Sequence, residues 1–182
     1  MASSSLRIAG LVPDSIVDGP GLRFSVFVQG CTHGCPGCHN PESQDPQGGS
    51  EYTLDEIVSK VRSNELIGGV TISGGEPFQQ PEAVALLVKT LADSGYDIWV
   101  YTGYLYEDLQ AKASSDTHVA TILNTASVLV DGPYIDANRT WDLPWRGSSN
   151  QRLIDLKASA QAGQVVLWRD PNQVEFKRPP SW

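Results

Sequence analysis

The sequence has no apolar run of the roughly 20 residues that a membrane-spanning helix requires. Its first residues, 1–7, also lack the apolar core of a signal peptide. We therefore expect a soluble, cytoplasmic protein with no membrane partner.

Positive charge is also scarce. The chain has 13 Lys and Arg residues against 21 Asp and Glu residues, which gives a net charge of -8. A protein that binds nucleic acid gains much of its affinity from contacts between Lys or Arg and phosphates. The charge therefore argues against a nucleic-acid partner.

Cysteine is rare, and its placement is more informative than its number. The three cysteines of the chain, Cys31, Cys35 and Cys38, all fall within one short segment. An odd number at such short spacings does not suit the disulfide framework of a secreted domain. Thiolates at these spacings are typical ligands of iron-sulfur clusters or zinc. The segment therefore predicts a metal site.

The spacing of the cysteines leaves three interpretations open. A 4Fe-4S cluster on three cysteines would keep one iron free of protein ligands, so that this iron could bind a substrate. A structural zinc site would need His33 or His39 as a fourth ligand. The third interpretation is a redox-active thiol pair. Zinc is the less favoured metal because all the ligands lie in one loop, whereas structural zinc sites usually join two separated segments.

Hydrophobic periodicity predicts strands that alternate with helices. The predicted strands are 22–28, 69–73, 97–102 and 127–131, with weaker runs at 152–156, 165–168 and 174–176. The predicted helices begin at the capping box Thr53 to Glu56, follow the turn at 74–77 as far as Gly95, and cover 104–114 and 119–123. This order predicts an α/β fold with a parallel sheet. We expect a single domain over 1–182, with 157–182 as a C-terminal extension whose role the pattern does not assign.

Loops that follow parallel strands meet at one edge of the sheet. Here these loops carry Cys31, Gly74-Gly75-Glu76, Thr102-Gly103 and Asp131-Gly132. The sequence therefore predicts that four segments distant along the chain form one site.

The cysteine spacing, followed by the segment 73–77 (Ser-Gly-Gly-Glu-Pro), resembles the radical S-adenosylmethionine (SAM) superfamily. Taken alone, the glycine segment would be an ordinary strand-to-helix turn. The resemblance implies a partial, incomplete β/α barrel and a 4Fe-4S cluster held by Cys31, Cys35 and Cys38. It also implies that SAM binds the remaining open iron, and that glycines in the turn let the backbone approach the cofactor.

The same resemblance implies a set of cofactor-binding residues: Gly37, Cys38, His39, Gly74, Gly75, Glu76, Asp131, Ser148 and Asn150. Glu76 would contact the SAM ammonium group or act as a favourable anion at a helix N-terminus. Asp131, Ser148 and Asn150 have turn-forming roles as alternatives. The reaction needs no acid-base pair, so we predict no catalytic residue beyond the cluster and SAM. Trp141 and Trp145 are expected to be packing residues.

A closer resemblance extends over nearly the whole chain. The segments 18–23, 97–104, 128–134 and 145–151 are similar to the family of anaerobic ribonucleoside-triphosphate reductase-activating proteins. This implies an oxidoreductase, a radical SAM activase that reductively cleaves SAM and generates a glycyl radical on the large subunit of an anaerobic (class III) ribonucleotide reductase. A flavodoxin or ferredoxin type protein would donate the electron.

Two features depart from the family pattern. The residue after the last cysteine is often aromatic, where it can lie beside the adenine, and here it is His39. The final segment, 157–182, extends past the recognised motifs. Three alternatives remain: an activase of another glycyl-radical enzyme of the formate-lyase type, an iron-sulfur electron carrier, which would need four cysteines, and a zinc-stabilised binding module.

Overall fold

The computed structural model describes residues 5–172, so the predicted run at 174–176 lies outside the described residues. Seven strands form one sheet: β1 (Ser5–Ser15), β2 (Arg23–Val28), β3 (Ser50–Thr53), β4 (Gly69–Gly74), β5 (Asp97–Tyr101), β6 (Val128–Asp131) and β7 (Arg152–Asp155). The helices in this range are α1 (Leu54–Arg62), α2 (Pro81–Asp93), α3 (Tyr106–Ala113), α4 (Thr117–Thr125) and α5 (Leu156–Ala162). None of them is long and apolar enough to cross a membrane.

The sheet is mixed, with a parallel centre and antiparallel edges. Its strand order is β3-β1-β2-β4-β5-β6-β7. Strands β2, β4, β5 and β6 pair in parallel, whereas β1, β3 and β7 pair antiparallel to their neighbours. The predicted α/β class is confirmed. The predicted parallel sheet holds for the four central strands only.

The sequence pattern did not predict β1 and β3. In β1, Leu6 and Ile8 alternate into the core, with exposed fractions of 0% and 2%, but Gly10 and Pro13 follow, and both residue types are depleted in strands. The pairing with β2 shifts register after Ile8 and again after Val12. These irregularities hide the alternation by which a strand is recognised. At the other end of the chain, the predicted run at 165–168 forms a single bridge, from Leu167 to β7.

Two helix ends match their local signals, the start of α1 and the end of α2, whereas α2 begins only at Pro81 and α5 was not predicted. Thr53 caps α1, and its hydroxyl accepts a hydrogen bond from the backbone N–H of Glu56, whose carboxylate accepts one from the N–H of Thr53. This reciprocal pair is the predicted capping box. Helix α2 ends just before Gly95, which has a φ angle of 91°. The single-domain organisation predicted for 1–182 stays a prediction.

Alternation along the central strands gives the sheet two different faces. One face, with Val26, Ile72 and Val100, packs against the buried residues of all five helices in the main core. The opposite face carries a smaller cluster around Trp99, and within the described residues this cluster contains no helical residue. This second face is therefore covered by loops, and those loops enclose the candidate site.

Arg23, at the beginning of β2, stabilises the end of the sheet where the parallel strands begin, which is the end away from the cysteines. The residue is 1% exposed. Its guanidinium group donates hydrogen bonds to the Thr71 hydroxyl (2.8 Å), the Val70 carbonyl (3.0 Å), and both the carboxylate (2.8 Å) and the carbonyl (2.9 Å) of Asp97. A Cβ on Gly69 would lie only 2.4 Å from Arg23 Nη1. The arginine of the segment 18–23 therefore joins the starts of three neighbouring strands.

Candidate active site

Loops at the carboxyl ends of the parallel strands enclose a cavity of about 850 Å3. Each of the four central strands contributes to its lining, with Cys31 after β2, Gly75 after β4, Thr102 and Gly103 after β5, and Gly132 after β6. Strand order alone brings these segments together, although they are distant along the chain. The predicted meeting of four loops is therefore present in the fold.

The three cysteines line this cavity as free, half-buried thiols. They lie on one loop in which Gly34 and Gly37 have positive φ angles of 60° and 73°, and these two residues turn the chain between successive cysteines. Within residues 5–172, no three His, Cys, Asp or Glu side chains are grouped closely enough to hold a metal ion. The thiols therefore share a cavity without forming a closed ligand set.

The electrostatic surroundings of Cys31 disfavour a free thiolate. Burial is the main cause that raises its pKa, and repulsion from Glu76, Cys35 and Cys38 raises it further, although a backbone hydrogen bond from His33 opposes the shift. A bound metal ion would reverse this effect, because metal coordination stabilises the deprotonated thiol. Soft sulfur donors facing one cavity are a suitable set for an iron-sulfur cluster.

The two histidines considered as a fourth zinc ligand both make other contacts. The Nε2–H of His33 donates a 2.8 Å hydrogen bond to Glu76, and this bond raises the pKa of His33 although burial lowers it. The ring of His39 packs against Tyr134, with ring centroids 4.7 Å apart. The Nε2 of His33 is therefore engaged by a carboxylate, which disfavours His33 as a fourth zinc ligand.

The glycine turn packs tightly against the cysteine loop. The N–H of Gly75 donates to the carbonyl of Val28 at 2.8 Å, and a Cβ on Gly75 would lie 2.4 Å from the carbonyl oxygen of Gly30, the residue before Cys31. A Cβ on Gly74 would lie 2.6 Å from the backbone nitrogen of Val28. Gly75 is therefore required where the turn meets the loop before Cys31, and Gly74 is required where the turn meets β2. We expected them only to open space for the cofactor.

Glu76 lies beneath the cavity and does not line it. Its side chain is 0% exposed, and its carboxylate accepts hydrogen bonds from the Phe78 N–H (3.0 Å), the Thr102 hydroxyl (3.0 Å), the Gly103 N–H (2.8 Å) and His33. We expected either a contact with the SAM ammonium group or an anion at a helix N-terminus. The second alternative matches the local geometry, because Glu76 is the N-cap of a short 3-10 helix over Pro77–Gln79. The same carboxylate is also the common acceptor for His33, Thr102 and Gly103.

Asp131 is likewise placed away from the cavity. Its carboxylate is 0% exposed and forms an ion pair with Arg152 on the neighbouring strand. It also accepts a 2.8 Å hydrogen bond from the N–H of Tyr106, the first residue of α3. Arg152 in turn binds Glu107 through two hydrogen bonds of 3.0 and 2.8 Å. In this structure the Asp131 carboxylate forms a buried connection between β6, β7 and α3, and its predicted contact with the cofactor stays a prediction.

Ser148 and Asn150 also hold loops together in this structure. The Ser148 hydroxyl, at 0% exposure, accepts a hydrogen bond from the N–H of Ile135. The Asn150 amide donates a 2.8 Å hydrogen bond to the Pro133 carbonyl. Gln151, which was not in the predicted set, does line the cavity, and its side-chain oxygen accepts from the N–H groups at 147 and 148. Among the polar residues 148–151, Gln151 is therefore the one that lines the cavity.

The remaining predicted contacts lie at the cysteine loop. Cys38 and His39 both line the cavity, and His39 is exposed. Gly37 does not line it, and a Cβ there would lie 3.0 Å from the carboxylate of Asp136. Of the nine predicted cofactor contacts, the structure therefore brings together Cys38, His39, Gly74 and Gly75 at the cavity.

Several cavity residues were not predicted, and two of them had been assigned to packing alone. Trp145 lines the cavity and also packs against Trp99, with centroids 5.5 Å apart. Trp141 lies at the cavity edge and is 81% exposed. Tyr101 donates a 2.8 Å hydrogen bond to the carbonyl of Trp145, and burial raises the pKa of this tyrosine. The local signal that could have indicated Tyr101 is its position at the end of β5.

The chain is similar to known iron-sulfur proteins over most of its length. The family described as "4Fe-4S single cluster domain" matches residues 17–154. The chain is 37% identical over 160 residues to the anaerobic ribonucleoside-triphosphate reductase-activating protein of Salmonella typhi, which covers 84% of this chain and 100% of the relative. It is also 37% identical over 153 residues to the protein of that name from Escherichia coli strain K12, which covers 80% and 96%.

Among solved structures, the chain is similar to the crystal structure of QueE from Escherichia coli. The TM-score is 0.41 at 16% sequence identity, and the alignment covers 54% of this chain and 53% of that chain. This likeness is too low to bear on fold or function.

Proposed function

Because the chain belongs to the family of anaerobic ribonucleoside-triphosphate reductase-activating proteins, we propose that it activates such a reductase by generating a glycyl radical on its large subunit. The observation that carries the proposal is the identity of 37% over a relative's entire length. The 4Fe-4S domain match supports the same activity.

We propose that Cys31, Cys35 and Cys38 hold a 4Fe-4S cluster and leave its fourth iron open for SAM. When bound, a reduced cluster of this kind supplies the electron that splits SAM into methionine and the radical that removes hydrogen from the glycine. The support from this chain is that its three thiols face one cavity. On this proposal the protein is an oxidoreductase, and a flavodoxin or ferredoxin type protein donates the electron.

The cofactor contacts proposed for SAM are those that reach the cavity. Gly74 and Gly75 form the wall next to the cysteine loop, and His39 takes the position where relatives often have an aromatic residue. Glu76, Asp131 and Ser148 are fully buried, so we propose that they act by holding the loops around the cavity in place. We also propose that the sheet is part of an incomplete β/α barrel, which is supported by the packing of the helices of residues 5–172 on one face of the sheet.

The size and openness of the cavity suit a cofactor together with a segment of a partner protein. Its volume of about 850 Å3 is near the upper end of the range usual for small-molecule sites. Three large apolar side chains at its edge are exposed, Trp141 at 81%, Ile16 at 72% and Val17 at 71%. Exposed apolar groups around a cavity are typical of a surface that binds a partner. They support a reductase loop as the substrate.

The experiment that tests the reaction class is anaerobic incubation of the reduced protein with SAM. We expect about four iron and four sulfide per chain after reconstitution, followed by release of methionine and deoxyadenosine. A protein that takes up only zinc would support the zinc-stabilised module. A cluster without SAM cleavage would support an electron carrier.

A further inference from the structure

His33 lies midway between Cys31 and Cys35, and it joins the cysteine loop to the rest of the cavity edge. Its side chain is 19% exposed. The Nε2–H group donates to Glu76 Oε2 at 2.8 Å. The imidazole also meets the ring of Tyr104 edge-on, with centroids 4.6 Å apart and an angle of 69° between the planes. Two independent contacts therefore fix one side chain in the middle of the loop.

The acceptor for His33 is itself held firmly. Glu76 is fully buried, and its carboxylate also binds the Thr102 hydroxyl and the Gly103 N–H of the β5 loop. Glu76 follows directly after Gly74 and Gly75 in the chain. The hydrogen bond from His33 therefore connects the cysteine loop to the glycine turn and the β5 loop at one point.

In the loop after β5, the missing side chain of Gly103 leaves space for the imidazole of His33. A Cβ on Gly103 would lie 2.5 Å from Cδ2 and 2.6 Å from Nε2 of His33. Atoms of two side chains do not approach so closely, so a larger residue at this position would displace the ring. Gly103, Glu76 and Tyr104 thus form a space that fits the imidazole of His33 in its observed position.

We propose that His33 is a positioning residue that fixes the cysteine loop relative to the turn at Gly74 and Gly75. The inference rests on the proposed function, in which SAM contacts both an iron held by the cysteines and this turn. If the loop moves relative to the turn, SAM loses one of the two contacts. We expect SAM to bind at least about tenfold more weakly without this hydrogen bond, as is usual for a hydrogen bond to a charged group.

The test compares two amides that differ by one methylene group. In His33→Gln the amide nitrogen is as many bonds from Cα as the histidine Nε2, so it can donate to Glu76, whereas in His33→Asn it is one bond too short. The measurement is the SAM dissociation constant of the reconstituted protein, together with the change in the electron-spin spectrum of the reduced cluster when SAM is added. We expect His33→Gln to remain close to the wild type and His33→Asn to lose affinity.

Gly103→Ala perturbs the same contact from another loop and leaves the cysteine loop unaltered. We expect it to weaken SAM binding as His33→Asn does. His118→Ala is the matched control, because His118 lies in the first turn of α4, away from the cavity lining, and its SAM affinity should equal that of the wild type.

The outcomes separate the two proposals. If the wild type assembles no cluster or binds no SAM, the proposed function and the role of His33 are both overturned. If the wild type binds SAM and His33→Asn binds it as tightly as His33→Gln, the role of His33 alone is overturned. Should neither amide variant assemble the cluster, unchanged SAM affinity in Gly103→Ala would overturn the role of His33.

Discussion

Replacing Arg152 with Met tests whether Asp131 is a structural residue or a cofactor contact. The Asp131 carboxylate is 0% exposed, and Arg152, which is 30% exposed, is its charged partner. In Arg152→Met the carboxylate would keep the 2.8 Å hydrogen bond from the Tyr106 N–H but lose its counter-charge. Leaving a buried charge without its partner costs about 3–5 kcal/mol in the free energy of unfolding.

The matched control uses the other partner of Arg152. The Glu107 side chain is 55% exposed, and exposed ion pairs contribute at most about 1 kcal/mol. The assay is thermal unfolding, in which each kcal/mol shifts the midpoint by about 2–4 °C for a chain of this length. We therefore expect a decrease of about 6–20 °C for Arg152→Met, and a few degrees at most for Glu107→Gln.

A double variant separates the two possible roles of Asp131. Replacing a buried ion pair with apolar residues is often neutral or stabilising, so Asp131→Leu combined with Arg152→Met should recover much of the lost stability. If Asp131 has only a structural role, the double variant should also bind SAM normally. Equal unfolding temperatures for Arg152→Met and Glu107→Gln would contradict a stabilising ion pair between Asp131 and Arg152. Recovered stability with lost SAM binding would instead restore Asp131 as a cofactor contact.

Three further predictions concern the cluster, the glycine turn and the base of the sheet. Cys31→Ala, Cys35→Ala and Cys38→Ala should each abolish SAM cleavage and lower the iron content, since each removes one thiolate, and a variant with a complete cluster spectrum would remove that cysteine from the ligand set. Gly75→Ala should weaken both cluster assembly and SAM binding, because the added Cβ would lie 2.4 Å from the carbonyl oxygen of Gly30. Cluster content and SAM affinity equal to those of the wild type would contradict this role of Gly75. Arg23→Lys should lower the free energy of unfolding by at least about 2 kcal/mol, because an ammonium group cannot replace the several hydrogen bonds of the guanidinium group. The measurement is urea unfolding, and a smaller change would contradict the structural role of Arg23.

The elements of the fold that the sequence predicted are those with a clear local signal. Strand β2 alternates in hydrophobicity, β4, β5 and β6 are short apolar runs, and α1 begins at a capping box that is visible in four residues. Strand β1 could not be predicted, since Gly10 and Pro13 interrupt it and its pairing shifts register. Whether a strand pairs parallel or antiparallel at the edge of the sheet depends on tertiary contacts, which local pattern does not contain.

The candidate site was predictable where one short segment carries the chemistry, as with the three cysteines. It was not predictable for polar residues at strand ends. Glu76 follows a glycine turn, but its partners His33 and Thr102 are 43 and 26 residues away along the chain, so the sequence could not indicate that they occupy its carboxylate. The same applies to Asp131, because the sequence places it at the cavity edge but does not reveal the ion pair with Arg152. Trp145 was assigned to packing because an isolated aromatic residue does not indicate that it also borders a cavity.

The most direct test of the proposed function is electron-spin spectroscopy of the partner. The reduced protein, SAM and a class III reductase from the same source are mixed without oxygen. We predict a doublet signal on the reductase, which disappears when its acceptor glycine is changed to alanine, while SAM cleavage without radical transfer can continue. A silent reductase together with a radical on a formate-lyase type enzyme would contradict the assignment of the partner.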